Sequence, residues 1–514
     1  GGATLGYGLA RAGARVLFLE RGRNHFDSGA LRDGFPEHAA GAGTLQELAA
    51  AGRYPDPVLD TSDRPRRFTP FIGTGTGGST ALYGMALERF FPEDFRPDQA
   101  PGDSDLPRDW PVDYSDMAPW YAAAERLYRV RGGDDPLRGQ PAPDYPPPPE
   151  LSPANAELFD FFAARGLHPY ALPMACAFSD ACRTCQGYLC ASDCKLDAAS
   201  VALRDAISQH GAELLSECEV TRIEADNTGV TGLVCAKGGE TVNLTARRYI
   251  LAAGALETPR LLLSSGNTHW PAGLGNTRGL VGRALMRHYV DLYAVFTRAR
   301  PDGNALVKQL AFNDLYNKDG EKLGSVQSFG LLPPADLLVR DMQRDIRDRH
   351  GALAGALFGA VAPILRAGLG WVLRRTVLLA TTLEDRPSAD NRVELAPDDE
   401  HGARLAFRYA IGPSEAGRIA RMREAMAGIL KPYRFLLLKQ AENNERLAHV
   451  CGTCRFGTDP QTSVCDEQQR VRGLSNLYVA DASVFPSSGG INPSLTIAAL
   501  ALRLADKLGA TPND

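Results

Sequence analysis

The sequence predicts an α/β protein with a Rossmann-like nucleotide-binding core. Three observations predict it. Gly1-Gly2 opens a helical pattern, residues 15–20 form a short apolar strand, and Glu20 stands eighteen residues after Gly2. Residues 248–259 read as a strand ending in small residues, and 260–266 continue it as a helix. Near the carboxyl end, Asn476-Leu477-Tyr478-Val479-Ala480-Asp481 precedes an Ala/Leu-rich helix that runs to Lys507. A glycine turn, a helix, a strand and then a carboxylate make the dinucleotide-binding order.

The amino-terminal segment is the first element. Glycines let a backbone approach a pyrophosphate, and the helix start offers free N–H groups and a positive dipole end. Gly1 and Gly2 read as the tail of a longer glycine pattern whose first strand would precede them. Glu20 is placed to accept from ribose hydroxyls, and Arg21 follows it at the strand end. The lack of a secretory signal decides nothing, because the chain opens inside a motif.

The second element is a glycine loop. Five glycines fall between residues 71 and 84, in Gly73-Thr74-Gly75-Thr76-Gly77-Gly78-Ser79 and at Gly84. Such a stretch cannot be a helix or strand interior. With apolar flanks it reads as a loop whose N–H groups face a phosphate or a ring edge. Gly75, Gly78, Ser79, Tyr83 and Gly84 are its candidate binding residues.

Composition limits the function. The 514 residues exceed one ordinary domain, so two domains sharing an interface are expected. Hydrophobic content of 44% and charge of 23% are those of a soluble globular chain. A net charge of −5 without long basic runs argues against nucleic acid as partner. No uninterrupted apolar stretch reaches the roughly 20 residues that span a bilayer.

The last eighty residues carry the chemistry. His449-Val450-Cys451-Gly452-Thr453-Cys454 precedes Asp481-Ala482-Ser483 and Ser487-Ser488-Gly489-Gly490-Ile491-Asn492-Pro493-Ser494-Leu495-Thr496. This order resembles the carboxyl end of the glucose–methanol–choline (GMC) flavin oxidoreductases. The resemblance extends to the glycine loop, to Val220, to residues 248–266, and to Val281-Gly282-Arg283-Ala284-Leu285 with His288. It therefore touches five separated stretches, in family order, from residue 1 to 507. Between 300 and 440 it is confined to residues 383–395, which look like a strand of a substrate-domain sheet.

The resemblance implies an FAD enzyme that oxidises a CH–OH group. It implies an FAD-binding domain from 1–115, 155–300 and 441–514, with 116–154 as connector and substrate-domain segment. A substrate-binding domain with an antiparallel sheet would occupy 301–440, and the Pro-rich 140–153 is the connector. Val220, Ala253, Gly254, Asp481, Ala482, Pro493 and Thr496 join the FAD contacts. Leu82 stands where some relatives bind flavin covalently through histidine, so FAD is expected without a covalent link. Removing hydride from an alcohol carbon needs a base for the hydroxyl proton and a donor for the oxygen. The resemblance assigns the base to His449 and the donor to Asn492, 43 residues later; a histidine suits neutral pH. His288 is read as structural.

The 487–493 stretch looks like that of members acting on a sugar, glycoside or polyol. The alternatives are a sterol or long-chain alcohol oxidase, or a flavin-binding electron-relay subunit without catalysis. The electron acceptor stays open among oxygen, a quinone and a cytochrome. The compartment stays open too, with the cytoplasm favoured.

Two features stand apart. Cys176, Cys182, Cys185, Cys190 and Cys194 cluster within nineteen residues. Disulfides or plain structural thiols rank first, an iron–sulfur cluster at Cys182, Cys185, Cys190 and Cys194 second, and zinc third. No metal site is assigned. Residues 352–382 are rich in Ala, Leu, Gly and Val, with arginines interspersed. As a helical pair they would form a lid, a contact between copies, or an interfacial membrane surface; a lid or interface is preferred.

Overall fold

A computed structural model describes residues 1–509 except 28, 33, 36–44, 98–103, 140–143, 180–181, 183–184, 302–307, 319, 331–333 and 398–403. The first four residues of the expected connector, 140–143, lie outside the described residues. The fold is α/β, as the sequence predicts.

The nucleotide-binding side contains two parallel strand pairs. Leu17–Leu19 pairs with Glu213–Leu215, and Tyr249–Leu251 pairs with Leu477–Val479. Helix Gly2–Arg11 packs against the last helix, Ser494–Gly509. Gly8 permits this closeness, since a Cβ there would sit 2.6 Å from Ala505 Cβ; Gly1 and Gly2 instead seat the helix start on the strand ends, where a Cβ on Gly1 would run into the Ala480 carbonyl and one on Gly2 would sit 2.9 Å from Ala252 Cβ. Strands Cys218–Ala225, Val230–Lys237 and Glu240–Leu244 form an antiparallel meander carrying Val220.

The helix after Tyr249–Leu251 begins earlier than expected, at Gly254, and runs to Ser264 with Pro259 inside it. Gly254 makes this early turn possible with φ +86°. Proline has no N–H to give the carbonyl four residues back. That carbonyl, of Ala255, accepts instead from Thr453 Oγ1 at 2.7 Å. The defect left by Pro259 thus ties the helix to the Gly452-Thr453-Cys454 stretch.

The second domain is built on a six-stranded antiparallel sheet. Its order is Phe435–Leu438, Tyr289–Phe296, Thr376–Leu383, Gly324–Ser328, Leu310–Phe312, Tyr170–Ala171. Two of these strands, Tyr289–Phe296 and Tyr170–Ala171, lie outside 301–440. Side chains alternate along the strands. Tyr293, Val377 and Leu379 pack on helices Pro153–Ala164 and Pro413–Leu430, while Leu292, Gln327, Ala380 and Thr382 face an internal cleft.

Two expectations are corrected. Residues 383–395 are not one strand: Thr376–Leu383 ends there, and Arg392–Leu395 belongs to a separate four-stranded sheet. Residues 352–382 are not a helical pair. They are one helix, Ala352–Leu373, followed by the central strand Thr376–Leu383, and the helix pairs with the charged Ala335–His350.

Candidate active site

A continuous cleft of about 3260 Å³ runs between the nucleotide-binding side and the six-stranded sheet. Small-molecule pockets measure about 300–1,000 Å³, so this cleft has room for a dinucleotide and a substrate together. Gly1, Gly2, Glu20, Arg21, Gly78, Ser79, Tyr83, Gly84, Val220, Ala253, Gly254, His449, Asp481, Ala482, Asn492 and Pro493 all line it. Gly75 and Thr496 do not. Gly75 packs behind the loop against the His25 ring, and its N–H reaches Glu20 Oε1 at 3.1 Å. Thr496 is buried on Tyr121 OH at 2.8 Å.

The glycine loop is rigidly placed. Gly77 and Gly78 have φ +88° and +52°, where side-chain-bearing residues are strained. A Cβ on Gly78 or Gly254 would meet nothing within 4 Å, so both backbones present bare edges to the cleft. Glu20 Oε1 also accepts from Gly22 N at 2.7 Å, and burial pushes the Glu20 carboxyl upward despite these bonds. Arg21 is held by Asp56 at 2.6 Å. Both Asp481 oxygens are engaged, by Gly254 N at 2.9 Å, Thr258 Oγ1 at 2.6 Å and Ser483 N at 2.8 Å. Asp481 thereby sets the Gly254 turn. Tyr83 turns its hydroxyl to the Leu196 carbonyl at 2.7 Å.

His449 stands at φ +58°, an uncommon conformation for histidine. The surrounding chain imposes it. Ala448 O accepts from His288 N at 2.9 Å, Cys451 and Met286 exchange two bonds of 3.0 Å, and Gly452 N and Cys454 N reach Ala482 O and Ser483 O.

His288 is the partner that sequence reading missed. Its Nε2 lies 2.9 Å from Gly489 O and 3.1 Å from Ser488 O, and carbonyls only accept, so Nε2 carries the hydrogen. Burial lowers its pKa to about 4, so the ring is neutral and Nδ1 is a bare acceptor. His449 Nδ1 lies 2.8 Å from that atom and therefore donates to it. Burial, then His288, holds His449 well below the ordinary histidine value. A neutral His449 protonated on Nδ1 has an unprotonated Nε2, to which no described residue donates a hydrogen bond.

Asn492 is held from the opposite wall. Its Oδ1 accepts from Gln327 Nε2 at 2.8 Å and its Nδ2 donates back to Gln327 Oε1 at 3.5 Å, which leaves one amide N–H as a donor. Gln327 and Lys308 join the cleft from the second domain. Lys308 is buried, which lowers its pKa to about 8, with Glu88 opposing the shift. Single polar residues in unmatched sequence carry no motif, so neither was legible beforehand.

The cysteine segment lies behind the glycine loop. Cys176 and Cys182 face each other, Sγ to Sγ 3.3 Å, and Lys195 Nζ bonds Ala81 O at 2.8 Å. Among the described residues, no three His, Cys, Asp or Glu side chains gather to hold a metal ion. The iron–sulfur expectation at Cys182, Cys185, Cys190 and Cys194 therefore finds no support.

Comparison with known proteins agrees with this layout. The GMC oxidoreductase profiles match residues 58–290 and 387–501. Paromamine 6'-oxidase of Streptomyces fradiae is 30% identical, over 85% of this chain and 78% of its own length. 2-Methyl-1,2-propanediol dehydrogenase of Mycolicibacterium austroafricanum is 27% identical, over 87% and 82%. Pyridoxine 4-oxidase from Mesorbium loti shares the fold, with a TM-score of 0.65, 20% identity, and coverage of 100% and 98%. The chain belongs to the GMC oxidoreductase family. It is an oxidoreductase.

Proposed function

We propose that this protein is an FAD-dependent oxidoreductase acting on the CH–OH group of a sugar, glycoside or other polyol. The observation that carries the reading is the neutral His449, bare at Nε2, sharing one cleft with the Asn492 amide. The bare edges at Gly78 and Gly254, the small residues at Ala253 and Ala482, and the length of the cleft fit FAD. Leu82 leaves it without a covalent link. FAD, when bound, supplies the hydride acceptor.

The chain's own residues do the rest. His449 Nε2 takes the hydroxyl proton, and His288 keeps the ring in the tautomer that can take it. Asn492 Nδ2 donates to the substrate oxygen as negative charge grows there. Gln327 orients that amide. Lys308 and Gln186 offer further donors to a hydroxyl-rich substrate. The paromamine 6'-oxidase and the propanediol dehydrogenase among the relatives, by name, support a hydroxyl-bearing small molecule. A second reading, a long-chain or sterol alcohol, is favoured by the apolar side chains of Leu337, Leu338, Ile364 and Leu365 along the same cleft.

The test is anaerobic mixing of the flavin-loaded protein with sugars, glycosides, diols, long aliphatic alcohols and sterols. Loss of the oxidised flavin band with a hydroxyl-rich member supports the reading. Bleaching only by lipophilic alcohols selects the second, and bleaching by none overturns both.

A further inference from the structure

Helix Ala352–Leu373 exposes an apolar face that the catalytic reading does not use. Leu353 and Ile364 are 75% exposed, Leu357 66% and Trp371 45%. With Val361 and Leu365 they form a stripe at helical spacing. The opposite face is committed: a Cβ on Gly355 would crowd Arg347, and one on Gly359 would crowd Gln343 of the companion helix Ala335–His350. Gln343 Nε2 also bonds Gly355 O at 3.1 Å.

By length and composition this helix is apolar enough to cross a membrane, but its setting forbids that. It returns at Gly351 from a companion bearing Asp336, Arg340 and Arg344, and it runs directly into the central strand of the sheet. A charged companion cannot enter hydrocarbon with it. The remaining geometry is a helix lying flat.

Charge selects the surface it lies on. From residue 352 to 383 there is no Asp or Glu, while Arg366, Arg374 and Arg375 are present. Arg375 stacks on Trp371 at 4.6 Å, at the end of the stripe. Apolar stripe, tryptophan and three arginines in a segment without Asp or Glu together fit an anionic headgroup layer. A second copy meeting this helix through the same helix would bring three more arginines and no carboxylate from that segment.

We propose that the exposed face of Ala352–Leu373 docks the protein on an anionic lipid bilayer. Ile364, Leu365, Gly368 and Leu369 also line the cleft, so docking sets the cleft's opening against the membrane.

The test is flotation of the flavin-loaded protein with vesicles of phosphatidylcholine alone and of phosphatidylcholine with one quarter phosphatidylglycerol. The protein floats with the anionic vesicles, and 0.5 M salt weakens this. Arg374→Gln with Arg375→Gln lowers affinity by about fivefold per arginine. Leu353→Asp with Leu357→Asp, both off the cleft, abolishes flotation and leaves the fold intact by circular dichroism and bound-flavin absorbance. Wild type that stays at the bottom with both vesicles overturns the proposal, whether monomer or a dimer that Leu353→Asp/Leu357→Asp dissociates. Flotation that both double variants retain overturns it equally.

Discussion

At the scale of the residue, the proposed chemistry rests on one hydrogen atom's position. Ser488 O and Gly489 O fix the hydrogen of His288, and His288 fixes that of His449. His449→Ala should slow anaerobic flavin reduction by about 10²–10⁴-fold, the usual contribution of a positioned base. His288→Leu should slow it by about 10-fold or more with little change in KM, because ring orientation is lost and not substrate contact. The pH profile carries the sign. His449 titrates well below 6.5, so its base form persists above that value, and the rate should fall along one acid limb beneath pH 6.5. His288→Leu removes a neighbour that lowers this pKa, so the limb should move to higher pH. Rapid-mixing kinetics between pH 5 and 9 measures both.

At the scale of the element, the site depends on turns that only glycine makes without strain. Gly254 has φ +86° and faces open cleft. Gly254→Ala should cost about 1–2 kcal/mol of stability from the left-handed backbone. Its methyl would occupy cofactor space, so the flavin-to-protein absorbance ratio should fall further than the melting temperature implies. Gly452→Ala acts on the His449 side: at φ +92° a Cβ there would run into the Ala284 carbonyl oxygen as well as stand 2.6 Å from Met286 Cε. Moving this segment displaces His449, so the variant should bind flavin normally but reduce it slowly. Gln327 shows the second domain's contribution. It lies on strand Gly324–Ser328 opposite Ala380, on the face turned to the cleft, and this places its amide at Asn492.

At the scale of the whole molecule, a buried ion cluster joins distant segments beside the cleft. Glu384 accepts from Lys322 Nζ at 2.7 Å and lies 3.6 Å from Arg418, while Lys322 also pairs with Asp94. Lys322, then Arg418 and Arg108, outweigh burial and hold the Glu384 pKa at about 2. A folded-state value below the ordinary 4.5 means stability that is fully present above pH 4.5 and lost as pH falls towards 2. Glu384→Ala should cost about 3–5 kcal/mol at neutral pH, since it strands buried cations. It should also flatten the acid dependence in that window, read from melting temperatures across pH.

The chain order alone already held the α/β class, the glycine loop and the family, because glycine turns and strand-to-helix transitions leave local patterns; it also offered His449 and Asn492 as candidates, and both line one cleft. Local pattern failed where long-range contact overrides it. Pro259 was read as the end of a strand, yet it sits inside a helix because Thr453 satisfies the freed carbonyl. His288 was read as structural, since a partner 161 positions away has no signature in sequence. Gln327 reaches the cleft by the alternation of a sheet whose strands span residues 170 to 438, and Lys308 from the segment just before strand Leu310–Phe312. Which residues were candidates for the chemistry was written locally; which atom holds the proton, and which amide is aimed, depend on contacts that exist only once the chain has folded.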